Sequence, residues 1–408
     1  MIGAVLLAVT LQSFSQLPLG VAEDAALAHS PDVAAARAKV DEQQALFDAA
    51  RASYGPALTA GYAQSPQLGN TGGTVEQKLT TVGAQVSLGD LFAYSPAVAQ
   101  AHATLSAAQF DLANARRNAR ITVIGDYYAA LVAHATLDAR NIELESAKAQ
   151  ERAAQLRYHA GDAPKLDVVR ASVAVAQAEA DLARTGADVQ NADAVLSTET
   201  SIDTLQIQPQ EAQTAQFSFA PGPDPQRAIA QAIASRPEIA SAQADVAAEE
   251  HAVKVARTGP VSIVTLAAGY TTGVDTGFPV HGPSVSATVT YPVGGASSNR
   301  IIAEEARLAQ AKAMLEKARR TVIIEAGSAA RTYSAQTAAL AAATRAREQA
   351  QAEFDATEIG YRNGASSSLD VESARATYVQ ALVNEITALY GQAQAQATLE
   401  LVVGSTHA

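Results

Sequence analysis

Two copies of one unit make up this chain, and the duplication limits its fold more than any single motif does. Tyr158, Gly161, Leu166, Asp167, Val168 and Ala171 recur 203 positions later as Tyr361, Gly364, Leu369, Asp370, Val371 and Ala374. Only one of the six is alanine, so the alanine richness of the chain does not explain the match. The same offset pairs Arg116-Arg117 with Arg319-Arg320. Offsets of 206 and 208 pair Pro31-Asp32 with Pro237-Glu238 and Gly61-Tyr62 with Gly269-Tyr270. Drifting offsets are what loop insertions leave between two copies of one repeat.

Each copy reads as helix, strand, loop, strand, long helix, turn, helix. The first covers 16–203 and the second 227–408, with a Gln- and Pro-rich linker at 204–226. In copy one, a single helix from Ala22 to Ser53 is expected, with a helix-start signal at Ser30-Pro31-Asp32. A β-hairpin at 57–89 follows, because Leu58, Ala60 and Tyr62, then Val82, Ala84, Val86 and Leu88, alternate with small or polar residues. In the matching hairpin at 261–292, Val264, Leu266, Ala268 and Tyr270 alternate likewise, as do Val285, Ala287, Val289 and Tyr291. The intervening segments Ser65 to Thr80 and Gly273 to Pro283 read as polar loops at the end of the strands away from the helices.

The long helices are expected at 97–158 and 299–360. About 60 residues is on the order of 90 Å of helix, which no single globular domain requires. Apolar residues recur every seven positions at Val98, Leu105, Leu112 and Ala119, and at Ile301, Leu308, Leu315 and Val322. Such a heptad calls for coiled-coil packing. Gly161 and Gly364 suit the left-handed position after a helix end. Pro164 suits the first turn of a returning helix at 165–198, and Ser366, Ser367 and Ser368 are candidate caps for another at 368–403.

Charged residues are 17% of the chain, aromatics 5%, and tryptophan is absent, which favours thin alanine-rich helical layers over a thick core. A net charge of −12 argues against a nucleic-acid partner. The chain has no cysteine, which removes disulfides, thiolate sites and a cysteine-linked lipid anchor. Seven histidines at positions 29, 102, 134, 159, 251, 281 and 407 show no metal-ligand spacing. No phosphate loop, dinucleotide fingerprint or nucleophile elbow occurs, so neither an enzyme nor a cofactor is expected. Residues 1–15 read as a secretory signal: an apolar stretch from Ile2 to Leu11, then Ser13-Phe14-Ser15 as a small-x-small site.

An apolar strand face could pack on protein, leaving a half-buried sheet on a soluble rod. It could instead meet lipid, with the small polar face lining water. Lipid tolerates no open sheet edge, and four strands are too few to close a barrel, so in that case several chains must share one. A periplasmic adaptor or coiled-coil scaffold would share the long helices but not the two lipid-type hairpins.

The ordered pieces together resemble the TolC family of outer-membrane efflux proteins. The resemblance spans about Gln16 to Gly404. It rests on the duplicated element order, on Ser30-Pro31-Asp32 and Arg236-Pro237-Glu238, and on Tyr158-His159-Ala160-Gly161 and Tyr361-Arg362-Asn363-Gly364 with the Leu-Asp-Val that follows each. It implies a mostly helical membrane protein: a homotrimer whose coiled-coil helical barrel continues into a twelve-stranded β-barrel in the outer membrane. It also implies a passive conduit across the periplasm, for efflux or type I secretion, docked by a periplasmic adaptor and an inner-membrane transporter.

For single residues, the resemblance makes Asp370 part of an acidic ring at the aperture, with Glu372 and Asp167 beside it. The family's second acidic position is Ser373 here. A first-turn carboxylate that steadies a helix dipole is the plainer reading of Asp370. For Asp167 the plainer reading is an intrahelical pair with Arg170. Tyr158, Gly161, Tyr361 and Gly364 are the candidate adaptor-docking tips. Asp162 and Ala365 stand where many relatives carry a hydrophobic residue.

Overall fold

Proline ends the first helix of each copy, and the two copies then run in parallel along the chain. The computed structural model describes residues 15–52, 57–68, 74–202, 207–209, 224–258, 263–275, 278–290 and 296–404. Copy one contains α1 (Leu19–His29), α2 (Pro31–Ala52), β2 (Ala57–Leu68), β3 (Thr74–Ser87), α3 (Leu88–Ala160) and α4 (Lys165–Thr200). Copy two contains α5 (Pro225–Ser235), α6 (Pro237–Thr258), β5 (Ile263–Asp275), β6 (Phe278–Thr290), α7 (Ala296–Arg362) and α8 (Ser368–Val403). A short strand β1 (Ser15–Leu17) pairs in parallel with β4 (Ile207–Pro209).

The helix expected over 22–53 is two helices. Ser30 adopts extended backbone ahead of Pro31, and Arg236 does the same ahead of Pro237. Proline donates no hydrogen bond and disfavours helix in the residue before it. The expected loops are also too long, because strand pairing runs through most of both. β2 and β3 pair from Ala57↔Gln85 out to Leu68↔Thr74, and β5 and β6 from Ile263↔Thr290 to Asp275↔Phe278. Asp275, inside the second expected loop, is the last residue of β5. The expected leader lies outside the described residues, except Ser15, which opens β1. The 204–226 linker holds β4, and α5 begins within it.

The chain folds into two compact units that cut across the sequence repeats. The first is Met1–Ala34, Asn114–Arg236 and Thr321–Ala408; the second is Ala35–Ala113 and Pro237–Arg320. In the first unit, α1 lies on α4 and α5 on α8. Each of the short helices carries a pair of buried alanines, Ala22 and Ala26 in α1 and Ala228 and Ala232 in α5. Leu17, Val123, Tyr127, Ala130, Leu131, Leu196 and Tyr390 complete the larger cluster, and Tyr127 donates to Leu17 O at 2.8 Å. Arg236, only 2% exposed, donates to Val402 O at 3.4 Å and pairs with Glu325. Ser235 donates to Val403 O at 2.9 Å. Those two bonds satisfy carbonyls at the end of α8 that the helix itself leaves open.

In the second unit, α2 and α6 accompany the first part of α3 and of α7. Ile301, Leu308 and Leu315 are partly covered, as the heptad requires, while neighbouring Ile302 is 62% exposed. Arg257 pairs with Glu305 at 2.8 Å. The four long strands form one antiparallel sheet in the order β2-β3-β5-β6. The β3–β5 pairing joins the hairpin of copy one to that of copy two, with Val82↔Tyr270, Gly83↔Gly269 and Ala84↔Ala268 in register.

Directly paired residues share a face, so the register sorts the sheet into two surfaces. One carries Leu58, Ala60, Tyr62, Val82, Ala84, Leu266, Ala268, Tyr270, Val285 and Val289; the other carries Thr59, Gly61, Thr81, Gly83, Gly269, Thr271, Ser284 and Ser286. On the central strand β5 the apolar surface is the more open one, whereas along the edge strands β2 and β6 both surfaces are exposed. Along β5, residues 266, 268, 270, 272 and 274 are exposed, while 267, 269, 271, 273 and 275 are partly covered. Leu58 is 89% and Val285 84% exposed. The polar surface is hydrogen-bonded across strands, from Thr81 to Thr271 at 3.3 Å and from Thr271 to Ser284 at 3.4 Å.

Candidate functional site: the helical tips

Both helical hairpins of the first unit reverse through the same turn. Gly161 (φ 84°) and Gly364 (φ 76°) take the left-handed conformation that a Cβ would strain. Asp162 N–H donates to Arg157 O at 2.9 Å, and Ala365 N–H to Gly360 O at 2.7 Å. Each bond spans five residues and closes the helix end.

The returning helices start differently, and the difference sets what their equivalent aspartates do. Ser367 caps α8: its hydroxyl accepts from Asp370 N–H at 3.2 Å, and the Asp370 carboxylate accepts from Ser367 N–H and Oγ, both at 2.8 Å. This is a capping box with aspartate in the glutamate position. The bonds from Ser367 hold the Asp370 carboxyl below the usual carboxylate range. Since the folded value is the lower one, the stabilisation is present above the unfolded value and is lost as pH falls through the folded one.

Pro164 precedes α4 and has no hydroxyl to offer. Asp167 turns instead to the other hairpin, where it accepts from Ser368 Oγ at 2.8 Å. The expected pairing of Asp167 with Arg170 is therefore replaced by a bond between the hairpins. Glu372 is bonded to Arg375 one turn along α8, and burial raises its pKa against the lowering pull of that arginine.

A second link joins the hairpins. The Arg157 guanidinium lies 4.6 Å from the centroid of the Tyr361 ring and donates two bonds of 3.4 Å to Tyr361 O. Tyr158, the counterpart of Tyr361, packs its ring beside His159 at 5.8 Å. Between the four helix ends lies a cleft of about 200 Å³, lined among others by Arg157, Asp167, Arg170, Tyr361, Ser368 and Glu372. Asp167 and Tyr361 are thus brought together with Glu372, while Asp370 is fully exposed and occupied with its own cap. Sequence reasoning missed Arg157. Its partner position in copy two is Gly360, so the repeat gave it no match.

Several apolar side chains of this unit are left uncovered by the chain: Leu156 is 71% exposed, and Ile142, Val173 and Ile359 are also exposed. No helix among the described residues is long and apolar enough to cross a membrane. Nor do three His, Cys, Asp or Glu side chains gather there as a metal-holding group.

The sequence profile described as "Outer membrane efflux protein" matches residues 23–198 and 228–405, one stretch in each repeat. Solved structures share the fold. The outer-membrane channel OprN is 20% identical over 95% of this chain and 90% of its own, with a TM-score of 0.82. The Campylobacter jejuni CmeC outer membrane channel is 17% identical over 95% and 85%, with a TM-score of 0.82. The Vibrio cholerae outer membrane protein VceC is 17% identical over 95% and 96%, with a TM-score of 0.79. No curated protein matches by sequence.

Proposed function

The chain belongs to the outer membrane efflux protein family, and from that membership we propose that it is the outer-membrane conduit of a tripartite efflux or type I secretion assembly. Three copies each lend four strands to a twelve-stranded barrel in the outer membrane, and their helices line a passive tunnel through the periplasm. A periplasmic adaptor meets the tips at Tyr158, Gly161, Tyr361 and Gly364, and an inner-membrane transporter delivers the cargo.

The observation that carries this reading is the sheet β2-β3-β5-β6, whose outer strands β2 and β6 each leave one edge unpaired. One of its two surfaces is apolar and the other small or polar. An open edge in hydrocarbon strands several backbone groups, at several kcal/mol each. Further copies of the same chain supply the missing edges by closed symmetry. An adaptor or scaffold has no use for such a sheet.

Asp370 from three chains forms the acidic aperture ring in this reading. Its capping bonds keep it ionised to a lower pH than an ordinary carboxylate. Glu372, half-buried and tied to Arg375, and Asp167, tied to Ser368, contribute less. The test is ion passage through the purified protein in planar bilayers. Wild type is expected to form cation-preferring channels that multivalent cations block. Asp370→Asn should lower the cation-to-anion permeability ratio by about two- to tenfold and weaken the block, because a narrow charged ring focuses its field on a passing ion. Unchanged selectivity and block would leave Asp370 as a helix cap alone, and absence of any channel would remove the conduit itself.

A further inference from the structure

On the side of the first unit away from α1 and α5, a polar groove follows α8 between α3 and α7. The two short helices share one face of this layer. α1 packs with Val123 and Tyr127 of α3, and α5 with Ala330 of α7 and Leu399 of α8. Ile121 precedes Val123 by two residues and Ser328 precedes Ala330 by two, which puts them on nearly opposite helix faces. Both line a cleft of about 650 Å³ that runs over Gly391, Ala395 and Thr398 of α8. A second cleft of about 550 Å³ continues it past Tyr128 and Asn384. Gln336 and Gln394 line both.

Glycine makes room for those two amides. A Cβ at Gly391 would lie 3.4 Å from Gln336 Oε1, and one at Gly125 would lie 3.5 Å from Gln394 Nε2. Glycine inside a helix lowers its stability, and the repeat does not account for either one, since the positions 203 away are Asp188 and Ser328. Among the described residues neither glutamine side chain has a hydrogen-bond partner, and the hydroxyls of Ser328, Thr332 and Thr398 have none either. Charge stays at one end of the groove. There Glu325 pairs with Arg236, and the Arg117 guanidinium donates to Asn114 and Asn118 at 3.0 Å.

We propose that this groove is a contact site for uncharged amphiphilic solutes in transit, small molecules with an apolar body and amide or hydroxyl groups. Clefts of this size hold such molecules when a few hydrogen-bonding groups sit among apolar ones. Each glutamine amide offers both a donor and an acceptor, and Ile121, Val132, Ala388 and Ala395 flank them with apolar surface. Without an ionic partner the solute is held weakly, and a site in a conduit must release what it binds. The proposal rests on the tunnel reading above. A second helical layer inside a tunnel wall would fill its bore, so α1 and α5 lie outside and the groove faces the lumen.

The absence of cysteine permits a direct test. In the full-length protein in lipid nanodiscs, Thr332→Cys puts a thiol in the groove, and Ser334→Cys puts one on the other side of α7. The probe is para-hydroxyacetanilide, an uncharged ring with one amide and one hydroxyl. At millimolar concentration it should slow N-ethylmaleimide labelling of Thr332→Cys about fivefold and leave Ser334→Cys unchanged. Adding Gln336→Leu and Gln394→Leu should cut the protection to below about twofold, since the amide bonds are lost at similar volume. Equal rates with and without probe, equal slowing at both thiols, or protection that survives loss of both amides would overturn the site. In planar bilayers, a bulky polymer maleimide on Thr332→Cys should lower conductance by about half. Unchanged conductance with protection intact would put the groove outside the bore and overturn its part in transit. If the unlabelled protein forms no channel at all, the conduit reading fails instead, and transit falls with it.

Discussion

Gly269→Val is expected to abolish assembly in the outer membrane, because it breaks the strand pairing that joins the hairpins of the two repeats. A Cβ at Gly269 would lie 2.8 Å from Val82 O and 3.0 Å from Gly83 Cα, and one at Gly83 would lie 2.6 Å from Ala268 O. The obstacles are backbone atoms within β3–β5, so no side chain can rotate away. Ordinary core overpacking costs about 1–3 kcal/mol, and a backbone collision at a sheet joint exceeds that range. Gly61→Val supplies the control. It sits on the same polar surface, where a Cβ meets nothing within 4 Å. Measured as assembled protein in outer-membrane fractions, Gly269→Val and Gly83→Val should fall about tenfold or more, while Gly61→Val stays within about twofold of wild type. Normal assembly of Gly269→Val would show that the β3–β5 register is wrong.

Arg157→Ala is expected to raise resting conductance. The guanidinium holds the two hairpins together twice, through the Tyr361 ring and through its carbonyl. A cation over an aromatic face contributes about 0.5–2 kcal/mol, and hydrogen bonds from a charged donor about 1.5–3 kcal/mol. Losing a few kcal/mol from the contact between the tips shifts the population of the arrangement that holds it by roughly ten- to a hundredfold. Open probability in planar bilayers should rise by about tenfold or more on that basis. Tyr361→Phe keeps both the ring and the carbonyl, so it should behave as wild type. A rise in Tyr361→Phe equal to that in Arg157→Ala would mean that the hydroxyl, and not this contact, holds the tips. No change in either would remove the latch.

The parts legible in the sequence were those written twice. The tip turns at Gly161 and Gly364 stood out because only glycine accepts their backbone without strain. The strands stood out because a period of two survives in Leu58-Ala60-Tyr62 and Val285-Ala287-Val289. The break at Ser30 was marked by a helix-start signal but absorbed into one helix, since apolar spacing runs across it. Strand ends were lost inside polar segments such as Gly273 to Pro283, because pairing there is held by backbone bonds and by Gln77 and Asp275, not by apolar alternation. The contact between the tips was hidden for another reason: Arg157 reaches from one repeat to the other, and a repeat reveals what its copies share, not where they touch. Asp370 and Asp167 matched perfectly in sequence yet found different partners, because serine precedes one helix and proline the other.

The central claim is that several copies of this chain close one barrel, and the most direct measure of it is molar mass in mild detergent. Light scattering with the bound detergent subtracted should give three times the mass of one mature chain. The same species should withstand dilution, since each chain would otherwise expose two open strands. A mass of one chain, stable in detergent and still folded, would contradict the shared barrel and the conduit built on it.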